Sequence, residues 1–380
     1  MIKSGHPWLF DNSIVKQSRE GNAGDTAIIF DNRYNKFLAL GLYDPDSPIR
    51  VKILSTQNGT KVNQDWFVKK FESAFSKRSA LLRKDVNAYR LCFGENDGLP
   101  SLICDVYNGV AILKIYSRIW LPFLDQIKDA IVDAVSCSCI VLRFSRSVEK
   151  DNTSSDISNG KIIYGELESE EVLFTEHGVR FTANVIHGHK TGFFLDHRYN
   201  RYKIQRLAKG KTVLDVFSYA GGFAVHALVG GATAVTAVDI SKQALAIANK
   251  NATLNNVKLN TIAGDAFKVL KDLIDNNQTF DIVIIDPPAF AKAAKEIPTA
   301  LNQYRRLAKL GIELVSKKGI LLLASCSSRV AADAFYETIE QGMKNSRKSF
   351  LLFEKTFHDT DHPIGFTEGA YLKSAYYKIT

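Results

Sequence analysis

Residues 212–223 read TVLDVFSYAGGF, and this stretch decides the fold. Thr212 to Val216 form a short, mostly apolar run interrupted by one acid, and Gly221 and Gly222 open a segment whose apolar residues recur at helical spacing. A strand, a glycine turn and a helix in that order make the first half of a βαβ unit. The same grammar continues downstream. Strands are expected at 212–218, 234–241, 260–265, 280–288 and 319–327, alternating with helices near 219–229, 241–255, 265–276, 300–316 and 330–345. The alternation predicts an α/β fold with a mostly parallel, Rossmann-like sheet covered by helices on both faces, and ligands bind such sheets at the carboxyl ends of the strands.

Upstream the pattern differs. TAIIFDN, KFLALGLYD and IRVKILS read as short strands separated by turn residues and predict a small β-barrel over 1–63. Helical spacing follows from Asp65 to Lys84, with Trp66, Phe67, Phe71 and Phe75 on one stripe. Strands at YRLCF, PSLICDVY, GVAILKIYS and SCIVLRFS, with a helix from Trp120 to Val135, predict a central mixed α/β domain over 64–170. The polar stretch 147–161, SVEKDNTSSDISNGK, reads as a loop. Residues 171–380 then hold the alternating domain.

Composition narrows the partners. The 380 residues carry a formal net charge of +9, which biases the surface toward anions and makes nucleic acid the first candidate. No apolar stretch approaches the roughly 20 residues of a membrane span, and no leader pattern opens the chain, so the expected location is the cytoplasm. Five cysteines, at 92, 104, 137, 139 and 326, form no C-x-x-C pair. Neither a disulfide framework nor a metal site is expected. A homodimer stays open.

The strand ends carry acids. Asp215 precedes a glycine turn that lacks the G-x-G-x-x-G pattern of a pyrophosphate site, which suits a cofactor with a positive end and no phosphate. Asp239 ends the second strand, placed to accept from ribose hydroxyls, and Asp265 ends the third, placed to accept from an adenine amino group. Any one of them can instead be a helix N-cap. Three in succession fit S-adenosylmethionine better than NAD, and at this point the chain resembles the class I S-adenosylmethionine-dependent methyltransferases. The expected cofactor set extends to Phe217, Ser218, Gly221, Ile240 and Ala266 around these acids.

The fourth strand ends in DPPAF. Pro287 and Pro288 stiffen the loop while Asp286 projects from it. A similar motif, with its aromatic directly after the second proline, grips planar amino groups in adenine N6-methyltransferases; here Ala289 intervenes before Phe290. The fifth strand ends at Cys326. Such a cysteine is often a small buried hydrophobe. A thiolate, however, answers the weak nucleophilicity of a pyrimidine C5: adding to C6, it makes C5 enamine-like and able to take a methyl group. The thiol needs help to ionise at pH 7, and Ser325, Ser327 and Arg329 stand near it in sequence. Asp286 is placed to bind the N3 and N4 edge of cytosine.

Seven stretches, SGHPWLF (4–10), GENDGLPSLICDVYNG (94–109), KTGFFLDHRYNR (190–201), DVFSYAGGFAVHA (215–227), DPPAFAK (286–292), SCSS (325–328) and DHPIGFTEGAYLK (361–373), span nearly the whole chain. Together they resemble the PUA-containing bacterial family of 23S rRNA cytosine-C5 methyltransferases, the RlmI-like proteins. The resemblance implies an amino-terminal PUA barrel for RNA, a central EEHEE-type domain and a methyltransferase domain. It also implies that Cys326 is the nucleophile, that Asp286 faces the target base and that large-subunit rRNA is the partner. Two departures accompany it. No second cysteine stands beside the DPP loop, so another base must release the thiol, and His362 is a candidate for it or an ordinary packing histidine. The first barrel strand is expected to be short or missing. The 190–201 stretch leaves two readings open: Phe194 packs on the cofactor and Arg198 pairs with a carboxylate, or Phe193 and Phe194 are core and Asp196 caps a helix containing Arg198 and Arg201. Two other functions remain in view: methylation of uracil C5 or of a purine nitrogen in RNA, and a non-catalytic rRNA-binding assembly role.

Overall fold

The computed structural model describes residues 2–83, 85–151 and 157–380. Its contacts divide the chain into two units: 1–178 with 182–195 and 360–369, and 196–359 with 179–181 and 370–380.

In the first unit, β1 (Trp8–Leu9), β2 (Thr26–Phe30), β3 (Phe37–Tyr43) and β4 (Val51–Ser55) form an antiparallel sheet in the order β1-β4-β3-β2. The first strand is indeed short. A small core of Ile2, Ala39, Val51 and Ile53 lies under it. Helix α1 (Gln64–Leu82) starts where the Asn63 side chain accepts from the Trp66 N–H, and it buries Phe67, Phe71, Ala74, Arg78 and Leu81 at three- to four-residue steps. Strands β5 (Ala88–Phe93), β6 (Leu102–Tyr107) and β7 (Val110–Ile115) precede helix α2 (Leu124–Ala134) and strand β8 (Cys139–Phe144). Helix α3 (Arg146–Asp151) and strand β9 (Ile162–Gly165) follow, and the five strands pair in sequence order. Only β7 and β8, joined through α2, run parallel. The stretch expected to be a loop therefore begins as helix, where Ser145 Oγ accepts from the Val148 N–H; residues 152–156 of it lie outside the described residues. Strand β10 (Glu171–Glu176) leads through His177 and Gly178, both at positive φ, into β11 (Val179–Asn184).

A buried polar network sits beneath β5. Arg78 grips both carboxylate oxygens of Asp97, and its other donors reach the carbonyls of Ala74, Arg90 and Asp361.

The second unit opens with α4 (Arg198–Leu207) and then alternates β12 (Thr212–Val216), α5 (Gly222–Val229), β13 (Ala234–Asp239), α6 (Lys242–Leu254), β14 (Asn260–Ala263), α7 (Ala266–Asp275), β15 (Phe280–Ile285), α8 (Ile297–Leu314), β16 (Val315–Ser325) and α9 (Ala332–Met343). Two strands not anticipated from the sequence, β17 (Phe350–Thr356) and β18 (Lys373–Ile379), complete a seven-stranded sheet in the order β14-β13-β12-β15-β16-β18-β17. The first five are parallel, and β18 runs antiparallel between β16 and β17. The order reverses at β12, which makes the ends of β12 and β15 the topological switch point where such sheets bind ligands. Leu214, Val216, Val283, Ile285, Leu321 and Leu323 point their buried side chains into one core with Tyr304 and Phe335.

Candidate active site

The turn after β12 is strained. Phe217 and Tyr219 hold φ of 64° and 48°, values that cost a non-glycine residue on the order of 1–3 kcal/mol each. Gly221 follows at φ 76°, and a Cβ there would meet the Ala248 Cβ at 2.8 Å. Hydrogen bonds hold the turn, among them Ser218 N–H to the Val238 carbonyl (3.0 Å), Gly221 N–H to the Ser218 carbonyl (2.8 Å), Tyr219 N–H to Asp239 Oδ2 (2.9 Å) and Asn251 Nδ2 to the Ala220 carbonyl (2.9 Å). Phe217 packs on the sheet core.

Asp215 is 1% exposed. Its Oδ2 accepts from the Ala224 N–H at 3.0 Å, while Oδ1 and the buried Ser218 Oγ have no hydrogen-bond partner among the described residues. Burial, with Asp286 and Asp239 nearby, pushes its carboxyl up to about 7. The orphaned Oδ1 of this carboxyl and the orphaned Ser218 Oγ are acceptors that fit an ammonium group. Asp239 accepts from Ser241 N–H (2.8 Å) through Oδ1 and from Tyr219 through Oδ2, and a carboxylate retains lone pairs for further donors. Ile240 beside it is 75% exposed, an apolar surface suited to a flat ring. Asp265 does cap α7, accepting from Lys268 N–H at 3.1 Å, and Ala266 is buried as the first residue of that helix.

The thiol of Cys326, half-buried one residue beyond β16, lies 3.5 Å from His197 Nε2 and 3.9 Å from Asp286 Oδ1. His197 Nε2 is in turn 3.3 Å from Asp286 Oδ2. These donor atoms lie within 4.8 Å of one another, and their mutual hydrogen bonds account for the grouping. Burial, then Asp286, pushes the thiol up. Burial works against charge on His197, but the Asp286 carboxylate outweighs it and the ring is shifted up.

Of the neighbouring hydroxyls, Ser325 is engaged elsewhere, whereas the buried Ser327 Oγ has no hydrogen-bond partner among the described residues. Ser325 Oγ donates to Tyr304 Oη (2.9 Å) and accepts from Ser327 N–H. The positive charge near the thiol is instead Lys373, whose buried Nζ donates to the carbonyls of Ser327, Val330 and Tyr371 and is pushed down to about 8 by burial. Pro287 is buried and Pro288 exposed, and the Phe290 ring packs edge-on against Tyr304 at 5.2 Å.

The 190–201 stretch divides between the units. Phe193 is core and Phe194 is 38% exposed, both in the first unit. In the second, Arg198 is buried and pairs with Asp359 at 3.1 Å, while Asp196 accepts from Tyr371 Oη. The N-cap position of α4 is held by His197, not Asp196. His362 belongs to the first unit; its Nδ1 is 2.8 Å from Asp361 and its ring packs against Phe93. Sequence reasoning passed over His197 altogether, because 129 positions separate it from Cys326. The one signal was a histidine within a stretch already singled out.

A family model described as S-adenosylmethionine-dependent methyltransferase matches residues 102–363. The chain belongs to that family. A second model, described as a PUA-like domain, matches residues 1–56. This methyltransferase is 37% identical to a Deinococcus radiodurans protein named ribosomal RNA large subunit methyltransferase, over 100% of the chain and 94% of the relative. It is 32% identical to an Escherichia coli ribosomal RNA large subunit methyltransferase I, over 97% of the chain and 94% of the relative. Its fold matches a crystal structure of SMU.776 complexed with SAH, with a TM-score of 0.84, 24% identity and coverage of 99% and 96%. The cofactor of the methyltransferase is S-adenosylmethionine. Among the described residues no helix is long and apolar enough to cross a membrane.

Proposed function

We propose that this methyltransferase places a methyl group on C5 of a cytosine in large-subunit rRNA, through a temporary bond between Cys326 and C6 of the base. The observation that carries the reading is the half-buried Cys326 thiol grouped with Asp286 at the end of the strand next to the cofactor crevice. The names of the full-length relatives support the rRNA substrate.

Bound S-adenosylmethionine supplies an electrophilic methyl group. Asp215 and Ser218 hold its ammonium end, Asp239 its ribose, Ile240 and the Asp265–Ala266 helix start its adenine, and Phe217 and Gly221 shape the turn that admits it. Cys326 Sγ adds to C6, and the electron pair released moves to C5, which takes the methyl group. Loss of the C5 proton then returns the C6–S pair to sulfur. Asp286 binds the N3 and N4 edge, with Pro287 and Pro288 fixing the loop and Phe290 bracing it. Arg198 belongs to the proposed set, and the cytoplasm is the proposed compartment.

The target base must leave its stack, which costs a few kcal/mol in a duplex and less in a loop. The +9 charge and the PUA-like sheet supply binding to offset this, with the salt dependence of phosphate contacts. The test is transfer of a labelled methyl group to large-subunit rRNA by wild type and Cys326→Ala, followed by nucleoside analysis. 5-Methylcytosine from the wild type alone supports the reading; a methylated purine, or an active alanine variant, overturns it.

A further inference from the structure

We infer that His197 is the base that takes the proton from the Cys326 thiol before it attacks the pyrimidine, with Asn200 and Asp286 orienting the ring. This inference rests on the covalent reading above and names the residue that arms its nucleophile.

The geometry supplies the three parts such a device needs: a nucleophile, a base in reach, and a third group that orients the base. His197 sits at the N-cap position of α4 but makes no side-chain cap bond to that helix. Its ring is therefore free to turn toward Cys326, and it is fixed there by burial to 3% exposure and by the edge of Phe223 at 5.4 Å. Nε2 faces both Sγ, at 3.5 Å, and Asp286 Oδ2, at 3.3 Å. A proton that leaves sulfur for Nε2 thus arrives opposite a carboxylate.

The far side of the ring is prepared for the charge as well. Nδ1 lies 3.0 Å from the Asn200 amide. The amide nitrogen that faces Nδ1 also lies 3.3 Å from Ser374 Oγ, and the amide oxygen accepts from Thr356 Oγ1 and Tyr376 Oη at 2.7 and 3.0 Å. Each hydroxyl can donate or accept, so the amide can present its oxygen to an Nδ1–H without leaving its NH2 unpaired. Asn200 and Ser374 are buried, and the network has little access to water.

The thiol needs a base, since burial and Asp286 both hold it protonated. The groups that set the proton affinity of His197 are Asp286 and Asp196, which favour its charge, Arg201, which opposes it, and the thiol itself. In the step, the Sγ–H bond breaks and an Nε2–H bond forms, and the pair left on sulfur makes the S–C6 bond. After methyl transfer the C5 proton is lost to solvent as the net proton of the reaction. The sulfur expelled from C6 takes its own proton back from Nε2, which leaves His197 neutral for the next turnover.

The experiment compares wild type, His197→Gln and Cys326→Ala in methyl transfer to rRNA across pH 5 to 8. Glutamine keeps a donor near the same place but takes up no proton. The expected result for His197→Gln is a fall in kcat of about 10²-fold or more, KM for RNA and cofactor within about threefold of wild type, and loss of the acid limb of kcat/KM. In His197→Gly, added imidazole should restore part of the rate. A His197→Gln variant with kcat within threefold of wild type and the acid limb intact overturns the inference alone, provided Cys326→Ala is inert. An active Cys326→Ala variant overturns the covalent reading itself. Should the His197 variants fail to bind cofactor, wild type decides: its rate of adduct formation with 5-fluorocytosine RNA must fall with pH through one ionisation, and a rate flat from pH 5 to 8 overturns the inference.

Discussion

Asp215 makes cofactor affinity depend on pH. In the free protein burial raises its carboxyl from an ordinary value of 3.8 to about 7, and its Oδ1 has no partner among the described residues. A cationic cofactor end binds the ionised form, so the free protein must first lose that proton. With a value of 7, about three-quarters of the carboxyls are ionised at pH 7.5 and about one in eleven at pH 6. The dissociation constant for S-adenosylhomocysteine, measured by calorimetry, should therefore rise about eightfold from pH 7.5 to pH 6. Asp215→Asn keeps the acceptor for the Ala224 N–H. It should bind the cofactor about 10- to 100-fold more weakly at pH 7.5, the size of a lost charge-assisted hydrogen bond, with no dependence on pH in this range. The sign for stability is opposite. A raised folded value gives stability that is present below 3.8 and lost as pH rises through about 7, at a cost of up to roughly 4 kcal/mol. The empty Asn variant should thus melt above wild type at pH 8. A wild-type affinity that stays flat between pH 6 and 7.5 would refute the reasoning.

Other perturbations read other parts of the structure. Arg78→Met leaves Asp97 buried without its bidentate partner, and urea unfolding should show a loss of about 3–5 kcal/mol. Burial alone would raise Asp97, but Arg78 holds it below its ordinary value, so in wild type this contribution is present above pH 3.8 and disappears as pH falls through the lowered value. Lys373→Met strips the carbonyls of Ser327, Val330 and Tyr371 of their common donor and frees the segment after Cys326. It should lower kcat at least tenfold and the melting temperature by several degrees, while calorimetry shows an unchanged cofactor Kd.

The parallel half of the second unit was legible because strand ends and helix starts carry their own chemistry. Asp215 before two glycines, Asp239 before a capped helix and Asp286 before two prolines mark three carboxyl ends that the sheet places side by side. The antiparallel strands were harder to see. In β18, KSAYYKI, all residues but Lys378 are buried, so the alternation that marks a half-exposed strand is missing. β17 alternates clearly but follows a helix by only a few residues, where the βα grammar does not lead one to expect an antiparallel pair. The turn at 147–151 was read as a loop because its polar composition hides a serine cap. The site was half legible. Cys326 and Asp286 announce themselves at strand ends, whereas His197 is defined by the amide and hydroxyls of Asn200, Thr356, Ser374 and Tyr376, contributed by three separate elements.

The most direct test of the covalent route uses RNA in which 5-fluorocytosine replaces cytosine, since fluorine at C5 is not lost as a proton and the adduct persists. Wild type, incubated with S-adenosylmethionine and this RNA, should form a complex that survives denaturation, and peptide mapping should place the RNA on Cys326. A denaturation-stable complex formed equally by Cys326→Ala, or none formed by a wild type that methylates unmodified RNA, would contradict it.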